Sequence, residues 1–386
     1  MLWNNPGHEY DAFVEGVLSN TLQIWFWGAA NLGRDYLMMY SHLFRVYGIV
    51  DGNPDRIGQQ VEYLTVECTD SIPSANERTI VVITCSFYDE IRPELEKKGY
   101  THNKNLFSYQ IFRRIMDVYL NRFLFSDRVD ISLTEKCNFR CEKCNIFTPY
   151  FKNPQHQDKE QVKADIDAYF SIVDSVWEVN LLGGEPFLYP NFDEIIAYIG
   201  LRYQKRIKYP TIFTNGSIIP KEETIALLRQ FGFRLHISLY PNVVEYQKKL
   251  PEFLETLADN DIHFKLLLND IWADFGFPDN PNTMQDATEL IPFFDTCCPP
   301  FRGLWKKHLY FCHLETSAIR AGMYPDDRDD YFDLADSTVD LRDLKKRFME
   351  FDMGYLPQGY VTFCKVCRGR DCVNGLKVPA AAQMFR

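Results

Sequence analysis

Residues 137–144 read CNFRCEKC, three cysteines in C-x3-C-x2-C spacing. Thiolates are the ligands that iron–sulfur clusters take, and a loop this short can grip one cluster at three corners. Three ligands leave a fourth iron open to a substrate or cofactor. A structural zinc knuckle is the alternative chemistry, and it wants a further Cys or His nearby. The nearest candidate is His156, in the polar stretch KNPQHQDKE. A second group follows: Cys297 and Cys298 are adjacent, Cys312 stands in LYFCHLE, and FCKVCRGRDC supplies Cys364, Cys367 and Cys372. A C-x2-C pair plus two upstream cysteines gives four thiolates, enough for a closed [4Fe–4S] cluster or for a zinc ion. The chain has 11 cysteines, an odd count that argues against a disulfide framework. Cys68 and Cys85 stand alone, and Cys85, in TIVVITC, reads as core.

The first cysteine cluster must be positioned by a strand, DRVDISLTEKC, that runs straight into it. Strand and helix then alternate. QVKADIDAYFSIVDSVW puts Val162, Ile166, Phe170, Val173 and Trp177 on one helical face. EVNLLGGEP is a strand ending in glycines, DEIIAYIGLRYQ a helix, YPTIFTNG a strand, ETIALLRQFG a helix, and RLHISLYP and HFKLLLND are strands. This order predicts a barrel, or part of one, whose site lies in loops at the strand C-termini. The DDRDD run at residues 326–330 reads as a solvated loop.

The N-terminal part is a separate α/β unit. LQIWFWG (residues 22–28), RVYGIVDGNP and TIVVITC are strands, and GAANLGRDYLMMY opens a helix, which implies a parallel sheet. Gly28, Gly33 and then Asp51 after the second strand fit a dinucleotide-binding type of turn, where glycine lets backbone approach a phosphate at a helix N-terminus. Ala30 takes the place of the middle glycine. The alternative is a degenerate unit without a ligand, serving as a docking platform. LFSYQIFRRIMDVYLNRFLF (residues 106–125) reads as a helical connector.

Composition sets the outer bounds. A chain of 386 residues implies two or three domains, and 46% hydrophobic with 15% aromatic residues can fill sizeable cores. No apolar run approaches the roughly 18 residues of a membrane span. MLWNNPGHEYDAF lacks the basic flank and apolar core of a secretion signal, so a cytoplasmic protein with no membrane partner is expected. The net charge of −11 weighs against a phosphate-tracking surface, so no nucleic-acid partner is expected.

CNFRCEKC after one strand and Gly183-Gly184-Glu185-Pro186 after the next resemble the radical S-adenosylmethionine (SAM) superfamily, over roughly residues 127–290. The resemblance implies that Cys137, Cys141 and Cys144 are the catalytic cluster ligands and that the GGEP turn binds the amino group of SAM's methionine. It implies that Asn215, in Thr214-Asn215-Gly216, and Ser238 contact the ribose and the methionyl carboxylate. Lys143 departs from the pattern, since relatives usually carry an aromatic residue just before the last cysteine. The implied chemistry is reductive cleavage of SAM by a [4Fe–4S] cluster to a 5′-deoxyadenosyl radical, which takes a hydrogen atom from substrate. An electron donor such as flavodoxin or ferredoxin would feed it.

The later cysteines resemble the family's auxiliary-cluster domains, called twitch when short and SPASM when long. Six cysteines favour one cluster, of the twitch type, held by Cys298, Cys312, Cys364 and Cys367, with Cys297 as the alternative to Cys298. Lys307 stands where relatives often have glycine. A spare thiol, Cys372 or one of the adjacent pair, is either structural or a hydrogen-atom donor as in radical epimerases of the family. FWGAANLGRDYL and YGIVDGNPDRIG resemble the Rossmann-like domains that precede sugar-modifying domains in polysaccharide-precursor enzymes, where the domain binds a nucleotide-sugar.

The expected architecture is therefore α/β throughout. A Rossmann-like parallel sheet (1–108), a connector (109–126), a partial (β/α)6 barrel (127–290) and a small auxiliary-cluster domain (291–386) follow one another. The expected function is oxidation or epimerisation of a small molecule, a sugar or nucleotide-sugar. Radical modification of a ribosomally made peptide is the alternative. A non-catalytic iron–sulfur protein is a third reading, against which the complete CNFRCEKC and GGEP pair argues. His313 and Glu315 follow Cys312 and are further candidates to meet the substrate.

Overall fold

The computed structural model describes residues 1–297 and 301–384, so Cys298 lies outside the described residues. They fall into two units, Gly7–Phe123 and a second made of Met1–Pro6 with Leu124–Arg386.

In the first unit, α1 (Asp11–Leu18) leads into β1 (Gln23–Trp27), α2 (Asn31–Tyr40), β2 (Val46–Val50), β3 (Gln60–Val61) and β4 (Leu64–Glu67). β5 (Thr79–Ile83), α3 (Tyr88–Lys97), β6 (Leu106–Ser108) and α4 (Tyr109–Asn121) complete it. The sheet order is β3-β4-β2-β1-β5-β6. Every pairing is parallel except β3 with β4. Strands covered on both faces read as continuous apolar runs, and all five residues of β5 are buried. Trp27, Val50, Val81, Ile83, Leu95 and Leu106 make its core, with Cys85 packed against it. The segment read as a connector is helix α4. Ser108 caps it by accepting from Ile111 N (3.3 Å), and its buried Phe112 meets the rings of Tyr40 and Phe44.

The second unit repeats strand and helix: β7 (Phe125–Thr134), α5 (Lys159–Ile172), β8 (Ser175–Gly183), α6 (Phe192–Tyr203), β9 (Ile207–Thr214), α7 (Glu222–Phe231), β10 (Arg234–Leu239), α8 (Leu250–Asp259) and β11 (Phe264–Leu268). These five strands are parallel and lie side by side in chain order. β12 (Ile271–Ala273) and α9 (Ala287–Cys297) follow, then β13 (Gly303–Trp305), β14 (His308–Tyr310), α10 (His313–Arg320), β15 (Tyr331–Asp333), α11 (Leu341–Asp352), α12 (Asp371–Asn374) and β16 (Lys377–Pro379). β13 pairs parallel to β7 on its other side, making a sixth parallel strand, and β14 and β15 continue the sheet antiparallel. The segment after residue 291 thus shares the barrel sheet. Lys306 and Lys307 turn the β13–β14 hairpin with φ of 52° and 59°. That left-handed conformation is one glycine adopts freely, and both amides donate to Asp165 (2.9 and 2.6 Å).

Two expectations are corrected. Trp177 is not on the face of α5. The helix ends at Ile172, and Trp177 lies on β8, exposed. The reason is Asp174, whose carboxylate accepts from Leu124 N (2.7 Å) and stops the helix beside the start of β7. The 326–330 run is not wholly solvated, because Asp330 is fully buried. Its carboxylate accepts from Thr362 N (2.8 Å) and Gln358 Nε2 (3.1 Å). Among the described residues no helix is long and apolar enough to cross a membrane.

Candidate active site

The cysteine loop leaves the C-terminal end of β7, and the glycine turn leaves the end of its neighbour β8. The two are zipped together by backbone: Gly184 N donates to Thr134 O (2.7 Å) and Glu185 N to Lys136 O (2.9 Å). The approach is too close for a side chain. A Cβ on Gly184 would stand 2.0 Å from Lys136 O, and one on Gly183, where φ is +148°, 2.4 Å from Thr134 O. Glu185 then ties this turn to the next. Its carboxylate, wholly buried, accepts from Asn215 N (2.9 Å), Thr214 Oγ1 (2.8 Å) and Phe187 N (3.3 Å). Burial pushes it up to about 7, against those three donors. Pro186 opens the short 3-10 turn that follows. So Gly183 and Gly184 border the cleft, while Glu185 clamps three strand ends behind it.

Cys137, Cys141 and Cys144 line one cleft of ≈ 570 Å³ together with Gly183, Asn215 and Ser238. Amide groups converge on the sulfurs. Phe139 N donates to Cys137 Sγ (3.4 Å), Asn215 Nδ2 approaches the same atom (3.9 Å), and Gln383 Nε2 donates to Cys141 Sγ (3.2 Å). Donors aimed at sulfur favour thiolate, the form a cluster binds. Burial pushes the Cys137 and Cys141 thiols up, Cys141 to about 12. Tyr240 and Trp272 pack beside the three cysteines. The nearest candidate for a fourth zinc ligand, His156, bonds Thr134 Oγ1 through Nδ1 (2.9 Å). Lys143 also lines the cleft and is ion-paired with Asp279 (2.8 Å). These residues fit a cluster held at three corners.

The second group also comes together. Cys297, Cys312, Cys364 and Cys367 line a closed, apolar cavity of ≈ 40 Å³ walled by phenylalanines. The expected Cys298 lies outside the described residues; Cys297 takes part in the cavity. Among the described residues no three His, Cys, Asp or Glu side chains converge as ligands of a single ion. The cavity and the main cleft adjoin, sharing Asn145, Phe275, Phe301, His313 and Arg370 as walls.

In the first unit, Gly28, Gly33 and Asp51 knit the turn after β1. Gly28 has φ +120°, and a Cβ on Gly33 would lie 1.7 Å from Gly28 O. Asp51 accepts from Ala29 N (2.8 Å) and Asn53 N (2.8 Å) and pairs with Arg56 (3.1 Å). Against burial, these partners hold its carboxyl below the usual carboxylate range.

Apart from His313, sequence reasoning missed the cleft floor. Arg128 and Asp130 on β7 stand in register with Glu178 and Asn180 on β8. Arg128 pairs with Glu178 (2.9 Å), which also binds Arg234 (2.7 Å). Asp130, Asn180, Arg128 and His313 all line the cleft. The available signal was charge at alternate positions in an apolar strand, since i and i+2 share a face.

Residues 131–241 match the family model described as Radical SAM superfamily. GTP 3′,8-cyclase of Helicobacter pylori is 32% identical over 97 residues, covering 25% of this chain and 29% of that protein. The antilisterial bacteriocin subtilosin biosynthesis protein AlbA of Bacillus subtilis is 27% identical over 172 residues, covering 42% and 36%. The solved structure of BtrN in complex with AdoMet and 2-DOIA is 16% identical with a TM-score of 0.42, covering 63% of this chain and 93% of that one. The chain thus spans only 29% and 36% of the lengths of these two curated relatives. With the three cysteines, the glycine turn and the parallel strands in place, residues 131–241 form a Radical SAM superfamily domain, whose cofactors are a [4Fe–4S] cluster and S-adenosylmethionine.

Proposed function

We propose that this chain is a cytoplasmic radical SAM enzyme that oxidises or epimerises a sugar or nucleotide-sugar, drawing electrons from a donor such as flavodoxin or ferredoxin. When bound, the cluster and SAM supply a 5′-deoxyadenosyl radical able to take a hydrogen atom from an unactivated C–H bond. The chain's own residues do the rest. Cys137, Cys141 and Cys144 hold the cluster, and Asn215 and Gln383 steady its sulfurs. The bare backbone at Gly183 and Gly184 receives the methionine part of SAM, with Asn215 and Ser238 nearby. The observation that carries oxidation is the cavity of four cysteines, Cys297, Cys312, Cys364 and Cys367, adjoining the cleft. These four cysteines would hold a second cluster, which would supply an electron acceptor for the oxidation. The partners of Asp51 favour a docking role for the first unit over nucleotide binding, because its carboxylate is already engaged by its own turn.

The likeness to AlbA, named for bacteriocin biosynthesis, supports peptide modification as the second reading. The test is iron per chain after anaerobic reconstitution, with SAM cleavage assayed alongside. The expected result is about eight irons in the wild type and about four, with no cleavage, in the Cys137→Ala/Cys141→Ala/Cys144→Ala variant. About four irons falling to none would remove the second cluster, and with it the electron acceptor for oxidation.

A further inference from the structure

The proposed function requires a substrate C–H bond to be held within reach of SAM, so the walls of the cleft decide which substrate is taken. The floor beneath the cysteine loop is unusual for a barrel interior. Asp130 is buried at 4% exposure, and its Oδ1 accepts from Asn180 Nδ2 (2.6 Å). Its Oδ2 stands 3.9 Å from His313 Nδ1, beyond hydrogen-bond reach. Around it, Asn180 Oδ1 and His313 Nδ1 are buried and have no hydrogen-bond partner among the described residues, and Arg128 Nε, also without a hydrogen bond, is ion-paired to Asp130 Oδ1 at 3.5 Å. Leaving such an atom unsatisfied is costly, and native proteins leave few. Several around one carboxylate, on residues that line one cleft, mark a place for a polar ligand.

Their chemistry narrows the ligand. Arg128 Nε can only donate, Asn180 Oδ1 and Asp130 Oδ2 can only accept, and the imidazole nitrogen takes either role. Groups that donate and accept through one atom, carried on neighbouring carbons, answer this mixed set; hydroxyls do so. Phe213 and Phe301 line the same cleft and flank the Arg128 guanidinium, with ring centroids 5.7 and 5.1 Å away. They offer apolar walls to the C–H faces of a ring.

We infer that Arg128, Asp130, Asn180 and His313 form the subsite that holds a monosaccharide ring by adjacent hydroxyls and presents one of its carbinol C–H bonds to SAM. This deepens the proposed function and rests on it.

The experiment uses reconstituted holoenzyme with S-adenosylhomocysteine. Glucose, galactose, UDP-glucose and UDP-galactose serve as probes, read by saturation-transfer difference NMR. SAM cleavage plays no part in the readout, so failure of the radical reading and failure of this subsite separate. Ring protons of at least one probe should be saturated by the wild type. Its Kd should rise roughly tenfold or more in Asp130→Asn and in Asn180→Leu, with iron content and S-adenosylhomocysteine affinity unchanged. Should Asn180→Leu fail to fold, the isosteric Asp130→Asn decides alone. Absence of binding by all four probes overturns the inference. So does a Kd that neither variant moves by more than about twofold.

Discussion

Gln383 donates its side-chain amide to Cys141 Sγ over 3.2 Å, across 242 residues of sequence. The contact is part of a clasp. Cys141 and Gln383 form an antiparallel bridge, Arg140 N donates to Gln383 Oε1 (2.8 Å), and Glu142 N and Met384 N bond Ala382 O and Arg140 O (2.6 and 2.8 Å). The last described residues therefore secure the loop that carries Cys137, Cys141 and Cys144.

A hydrogen bond to a cluster sulfur stabilises the electron-richer, reduced state and raises the reduction potential. Gln383→Leu keeps the side-chain bulk and removes the donor. The midpoint potential of the cluster held by Cys137, Cys141 and Cys144 is expected to fall, with iron content retained, in a redox titration followed by electron paramagnetic resonance. An unchanged potential would mean that the amide does not act on the bound cluster.

The glycine turn allows a sharper test. A methyl group on Gly184 would lie 2.0 Å from Lys136 O, and that oxygen is backbone at the root of the cysteine loop. Overpacking of this kind costs about 1–3 kcal/mol and forces backbone to move. Gly184→Ala is expected to lose about four irons and all SAM cleavage while keeping the iron held by the later cysteines. A variant that keeps its full iron and wild-type cleavage would show that the two loops can part without harm.

These loops were legible in the sequence because their chemistry is local. Cys137, Cys141 and Cys144 come from one loop, and Gly183 and Gly184 from one turn, so spacing alone displays them. Alternation of apolar strand and amphipathic helix gave the order β7 to β11 in the same way. What sequence could not display is partnership at long range. Helical spacing continued through Val173 to Trp177, and only the bond from Leu124 N to Asp174 ended the helix earlier. Asp330 sat in an acidic run that composition makes solvated, yet its carboxylate is paired with Thr362, 32 residues on. Arg128 and Asp130 lie within a strand that spacing does display, and only their register with Glu178 and Asn180 makes them a floor.

The adjacent cysteines at 297 and 298 are separable by mutation. Cys297 lines the second cavity with Cys312, Cys364 and Cys367. Burial pushes the Cys364 thiol well up, and the neighbouring Cys367, Cys312 and Cys297 push it the same way. Thiols crowded this closely favour a metal that takes their charge. Cys297→Ala is expected to lose about four irons and Cys298→Ala none, by iron analysis of reconstituted protein. The reverse pattern would assign the ligand to Cys298.

Asp130 gives stability a pH dependence of known sign. Burial raises its carboxyl from 3.8 to about 6, and Arg128 and Asn180 offset only part of that. The groups facing it are shifted the other way. Burial and Arg128 push His313 down to about 4, and Arg128 and Arg234 hold Glu178 below its ordinary value against burial. An acid whose folded pKa lies above its unfolded one stabilises the fold fully below the unfolded value, and that contribution is lost as pH rises through the folded value. The wild type is thus penalised increasingly between pH 3.8 and about 6. Asp130→Asn keeps an oxygen to accept from Asn180 Nδ2 and cannot ionise. Its advantage in Tm over the wild type is expected to grow from pH 5 to pH 7, by about 1 kcal/mol in stability. Thermal melts of the reconstituted protein across that range measure it. A difference that stays flat with pH would mean that Asp130 is already ionised at pH 5, with its charge met by Arg128.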